Sequence, residues 1–237
     1  MNWANVILEE LKNAGDPKKA KILQVFFKTG PGEYGFGDLF YGIAVPVQRE
    51  ISREFQAKVS WEDLSALLHH THHEARLTAL HMLVYRYQKS TADTDRDAIV
   101  RFYFDHLDRV NNWDLVDSSC YQILGHFYLK REKALFYGLA DSGHLWRQRV
   151  AMISSFYWIK KGEFVDALAL AEKLKNHPHD LMHKAVGWML REIGKRDFDA
   201  EYEFLKKHYQ TMPRTALRYA IEKFPEELRQ DFLKGRV

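Results

Sequence analysis

Apolar residues recur along the chain at helical spacing, and no stretch shows the two-residue alternation of a strand. Trp3, Val6, Ile7 and Leu11 share one face of a helix predicted over residues 3–12. Asp16-Pro17 supplies an N-cap and a first helical residue for a second helix, which ends near Lys28 ahead of Gly30-Pro31-Gly32. The segment from Gly35 to Gly42 is rich in glycine and aromatics and reads as an irregular connector. It lacks the Gly-Lys-Ser/Thr ending of a phosphate-binding loop. Pro46 begins a helix carrying Val47, Ile51 and Phe55, and Ser60 with Asp63 forms a capping box for the next.

From there the chain keeps a rhythm in which a polar turn precedes a helix with an early basic residue followed by small and apolar ones. Arg76, Arg149, Lys184 and Arg214 mark these helices, and Asp117, followed by Ser-Ser-Cys, fills the remaining slot. A spacing of roughly 30 to 40 residues, with two helices per unit, predicts an all-α fold: an α-solenoid of HEAT-like repeats forming one domain over residues 1–237. A lone helix pair cannot bury its apolar stripe, whereas stacked pairs share a continuous core. If equivalent positions line one concave face, the basic residues form a ladder suited to phosphates.

Composition sharpens this picture. Of the 237 residues 46% are hydrophobic, enough for a substantial core, and few glycines and prolines interrupt the helices. Net charge is only +3, yet residues 1–127 hold 14 Lys and Arg against 17 Asp and Glu while residues 128–237 hold 21 against 15. A basic second half suits a polyanionic partner such as nucleic acid. The single cysteine, Cys120, cannot form an internal disulfide, and the N-terminus carries neither a basic leader nor a long apolar run. The expectation is a cytoplasmic monomer that neither enters nor crosses a membrane.

His69, His70, His72 and His73 crowd one turn, but no cysteine or carboxylate at ligand spacing joins them, so they read as an exposed turn and no metal is expected. Serine-hydrolase and zinc-hydrolase motifs are absent. Trp158 sits among apolar neighbours and reads as core. Trp113 and Trp188 each lie four residues from a repeat position, Asp117 and Lys184 respectively. An indole there can hold a cation over its ring for about 0.5 to 2 kcal/mol. Asp114, at a helix start, reads as a structural cap. Asp117 is an acid among cations and needs a positive charge to answer it, from an arginine or a cationic substrate.

Four segments in order, Phe40-Tyr-Gly-Ile-x-x-Pro46-x-x-Arg49, Asn112-Trp-Asp-Leu-Val-Asp117, Trp146-Arg-Gln-Arg149 and Lys184-Ala-Val-Gly-Trp-Met-Leu-Arg191, resemble the AlkD-type DNA alkylation repair glycosylases. The resemblance runs from about Asp16 to Phe224. It implies a HEAT-like superhelix that excises cationic N3- and N7-alkylated purines from duplex DNA without flipping them into a deep pocket, and without metal or organic cofactor. By motif, Asp117 corresponds to the catalytic aspartate, Trp113 and Trp188 to the aromatic pair beside the lesion, and Arg149 to a phosphate contact. Arg76, Arg147, Lys184, Arg191 and Arg214 are further candidate DNA contacts. Two positions depart from the pattern: Asn112 stands where some members have another tryptophan, and Phe26 where a tyrosine can touch the lesion-bearing strand. On the residues alone two other readings stay open, a non-catalytic binder of branched or distorted DNA and a protein-binding helical scaffold.

Overall fold

The computed structural model describes residues 2–237, which form fourteen α-helices and no strand. The chain divides into two compact units, Met1–Ser119 and Cys120–Val237. The first holds α1 (Trp3–Asn13), α2 (Pro17–Phe26), α3 (Val45–Phe55), α4 (Trp61–Leu68), α5 (His73–Lys89), α6 (Asp93–Asp105) and α7 (Trp113–Asp117). The second holds α8 (Ala134–Ala140), α9 (Leu145–Lys160), α10 (Val165–Leu174), α11 (Asp180–Gly194), α12 (Phe198–His208), α13 (Arg214–Ala220) and α14 (Glu226–Lys234).

The centre of the first unit is α5, against which α1, α3, α4, α6 and α7 all pack. Its sequence is apolar or small nearly all round, from Ala75 through Val84, and burial follows on every face. The α4 capping box forms reciprocally, with Asp63 N–H donating to Ser60 Oγ (3.1 Å) and Ser60 N–H to Asp63 Oδ2 (2.9 Å). Asp63 Oδ1 also accepts from Ala4 N–H (3.0 Å), which ties α4 to the start of α1. The buried face of α3 is Gln48, Ser52 and Phe55, one position round from the expected Val47 and Ile51. Ser52 Oγ donates to its own helix at Gln48 O (2.7 Å) and lies 3.1 Å from Thr78 O on α5, so a small polar residue lets the two backbones approach.

Helix α2 ends at Phe26, two residues early, because Lys28 takes a left-handed φ of 52°. No residue of α2 is buried. The connector that follows is irregular as expected and is pinned to α5 by Glu74, whose carboxylate accepts from the N–H groups of Tyr41 (3.0 Å), Gly42 (2.8 Å) and Ile43 (3.2 Å). Gly42 has φ 87°, and a side chain there would meet Asp16 O at 2.1 Å.

In the second unit α9, α11 and α13 pack in succession, with α8 on α9, α10 on both α9 and α11, and α12 on α11. Helix pairs stacked in chain order make this an α-solenoid of helical repeats. Trp158 is fully buried, as expected, and its indole donates to Gly125 O (2.8 Å). No helix of the described residues is long and apolar enough to cross a membrane.

Candidate functional site

Helix α7 is five residues long, and both of its ends are written in its own sequence. Asn112 at the N-cap is fully buried, its Oδ1 accepting from Trp113 N–H (2.8 Å), and Asp114 Oδ1 accepts from Leu115 N–H (2.9 Å). At the other end Ser118 and Ser119 turn their hydroxyls back onto the carbonyls of Asp114 and Leu115, the latter at 2.6 Å. Such back-bonding competes with the helical ladder and bends it, and α7 stops at Asp117. Trp113 and Asp117 therefore open and close one helical turn, four residues apart and on one side of it, each half-buried.

The Trp113 indole lies flat against Phe27, with centroids 5.3 Å apart and planes 9° from parallel, and meets Phe26 edge-on at 6.0 Å. Phe27 in turn touches the rings of Phe40 (5.0 Å) and His73 (4.8 Å). Beneath this column is a buried charge network. His73 Nε2 donates to Asp114 Oδ2 (2.8 Å) and Nδ1 to Asp38 Oδ2 (3.1 Å), while Arg76 binds Asp38 Oδ1 at 2.7 Å. Asn112 Nδ2 reaches the same Asp38 Oδ2 at 3.4 Å. Burial alone pushes the His73 pKa down, but the charge of Asp114 and hydrogen bonds to both carboxylates outweigh it and raise the value to about 9. Asp38 is pushed up by burial and more strongly down by its bonds to His73 and Arg76, for a net lowering.

His73 is thus no member of an exposed turn: its ring is buried, whereas His69 is exposed and His70 and His72 are half-buried. Among the described residues no group of histidine, cysteine and carboxylate side chains could hold a metal. Arg76 also departs from expectation. It is 1% exposed, and its guanidinium is committed to Asp38 and to His70 O (3.2 Å), which removes it from the candidate phosphate contacts.

In the second unit Trp188 on α11 is half-buried, its ring 5.4 Å from that of Phe156. Arg149 on α9 is 4% exposed and donates to Leu181 O at the start of α11. Arg147, two residues nearer the N-terminus of α9, is exposed. Lys184 pairs with Asp180 at 2.8 Å, Arg191 with Glu222, and the exposed Arg214 donates to Leu233 O (2.8 Å).

Helix starts now give the repeats a common origin. The N-caps of α5, α7, α9, α11 and α13 are His72, Asn112, His144, His179 and Pro213. Counting five residues on from each cap gives Leu77, Asp117, Arg149, Lys184 and Arg218. Arg76 therefore falls about 100° round the helix from the equivalent position, and Arg218, exposed on α13, takes the place assigned to Arg214.

The fold and this charge pattern define a helical-repeat protein with an acid at one repeat position and cations at the three equivalent ones that follow it. A family model described as DNA alkylation repair enzyme matches residues 7–224, and the chain belongs to that family. Its partner is accordingly DNA and its role the repair of alkylated DNA. Among solved structures it is similar to a predicted DNA alkylation repair enzyme from Enterococcus faecalis, with TM-score 0.69 and 19% identity over 90% of this chain and 97% of that one. No curated protein matches the sequence.

Proposed function

We propose that the protein is a DNA glycosylase that hydrolyses the N-glycosidic bond of cationic N3- or N7-alkylated purines in duplex DNA, with residues 1–237 acting as one repeat domain. The observation that carries this reading is the short α7, which presents a half-buried carboxylate, Asp117, one turn from a half-buried indole, Trp113. Alkylation has already made the purine positive, so it leaves as a neutral base with the glycosidic electron pair and needs no strong acid. Positive charge grows instead on C1′ and O4′ of the deoxyribose. Asp117 stabilises it and takes the proton of the water whose oxygen bonds to C1′, while the π face of Trp113 favours the cation. Arg147, Lys184, Arg191, Arg214 and Arg218 serve as DNA contacts, and Arg149, buried and bonded to Leu181 O like Arg76 to its own partners, positions the start of α11 and is not itself a phosphate contact. The reading calls for no metal or organic cofactor.

The test is release of 7-methylguanine from methylated duplex DNA. Wild-type protein is expected to release it, and Asp117→Asn to lower the single-turnover rate by about 100-fold or more. Absence of release by wild type, or equal release by Asp117→Asn, removes the proposal. Tight DNA binding without release would instead support a non-catalytic DNA binder.

A further inference from the structure

The His73 network lies outside the residues that the glycosylase reading uses, yet three of its contacts end on the first turn of α7. Asp114 Oδ2 accepts from His73 Nε2, Asn112 Nδ2 donates to Asp38, and the Phe27 ring that touches His73 is the one on which Trp113 lies. The His73, Asp38 and Arg76 side chains are at most 8% exposed and that of Asp114 is 16% exposed, so water does little to screen their charges. Two carboxylates face the two ring nitrogens, and a neutral imidazole has only one N–H to offer them. With the imidazolium and the Arg76 guanidinium the cluster is electrically balanced. With a neutral ring, Nε2 keeps the proton it gives Asp114, Asp38 keeps only Arg76 and Asn112, and the two acids are left with one cation.

We propose that His73, held as an imidazolium between Asp38 and Asp114, is a positioning residue that fixes the first turn of α7 and thereby the placement of Trp113 and Asp117. Loss of the Nδ1 proton leaves Asp114 bonded to a neutral ring in place of a cation, which loosens the turn whose last residue is Asp117. The groups facing the ring are Asp38 and Phe40 from the connector, Phe27 from the residues after α2, Asp114 from α7, and Arg76 from α5. Glu74, next to His73, is occupied by three backbone N–H groups of the connector. His70 and His81 are both depressed, chiefly by burial and secondarily by Arg76 and Arg49 respectively. They titrate well below His73, whose own value near 9 follows from the two carboxylates. The proposed loss of order therefore belongs to alkaline pH.

The inference rests on the glycosylase reading for its rate measurement but not for its structural one, so the two can fail separately. By NMR of wild-type protein, both ring N–H groups of His73 are expected at pH 7.5. The Trp113 indole and Asp117 amide resonances should move together with the His73 ring as pH is raised through about 9. A ring that titrates near 6.5, or Trp113 and Asp117 signals that stay fixed while it titrates, overturns the proposal whether or not the protein releases base. If wild type is active, its single-turnover rate should fall on the alkaline side with that same midpoint. His73→Gln should be slower by about 10- to 100-fold at pH 7.5 and lack the alkaline fall, with DNA affinity within about twofold. An unchanged alkaline limb in His73→Gln, or a loss confined to DNA affinity, also counts against it.

Discussion

Asp38 is the acceptor on which two buried cations converge, so Asp38→Asn leaves Arg76 without an ionised partner in the interior. Urea unfolding at pH 7 should show a loss of about 3 kcal/mol or more, and a loss under about 1 kcal/mol would mean the network is not the buried ion cluster described. The pH dependence has a definite sign. A folded-state pKa of about 9 against an ordinary 6.5 makes His73 fully stabilising below pH 6.5, with the contribution lost as pH rises through 9. Asp38, with a lowered pKa, acts oppositely: it stabilises above its ordinary 3.8 and loses that contribution on acidification. Thermal melts of wild type should fall between pH 7 and 10 by more than those of His73→Gln, the difference being on the order of 3 kcal/mol. Little of this was legible in the sequence. Asp38, His73 and Asp114 are 35 and 41 residues apart in successive steps, and local spacing gives no sign that they meet. The departure at Asn112 also acquires a physical role, since its amide both caps Trp113 N–H and reaches Asp38, which a tryptophan could not do.

At the scale of elements the sequence was more informative, because caps and breakers act locally. The capping box of Ser60 and Asp63, the Asp16-Pro17 start and the glycine-rich connector are all where the pattern put them. Burial within helices was harder to read: α3 buries Gln48 and Ser52 in place of Val47 and Ile51, since close approach to α5 favours small or hydrogen-bonded residues over bulk. The same demand appears between α11 and α13. A Cβ added at Gly187 would lie 2.4 Å from Ala216 O and 2.5 Å from the Cβ of Tyr219, both inside contact distance and neither at the end of a flexible chain. Gly187→Ala should therefore destabilise by about 1 to 3 kcal/mol despite the better helix propensity of alanine. A chemical denaturation midpoint equal to or above wild type would show that the two helices can move apart at no net cost.

For the molecule as a whole, the legible quantities were the repeat length and the shift from an acidic first half to a basic second half. Register is less legible. The first basic residue of each helix places Arg76 and Arg214 beside Arg149 and Lys184, whereas the N-caps place Leu77 and Arg218 there. The distinction has a measurable form because each phosphate contact releases counterions and steepens the salt dependence of DNA binding by about 0.9 in log–log slope. Arg218→Ala should lower that slope by about one and weaken binding to any duplex sequence to the same degree. Arg76→Gln should leave the slope as it is and appear instead as lost stability, since its guanidinium faces Asp38 in the interior. Salt titrations of both variants on one unmodified duplex separate the alignments. A slope reduced by Arg76→Gln in folded protein, with Arg218→Ala indistinguishable from wild type, would restore the register based on the basic residues.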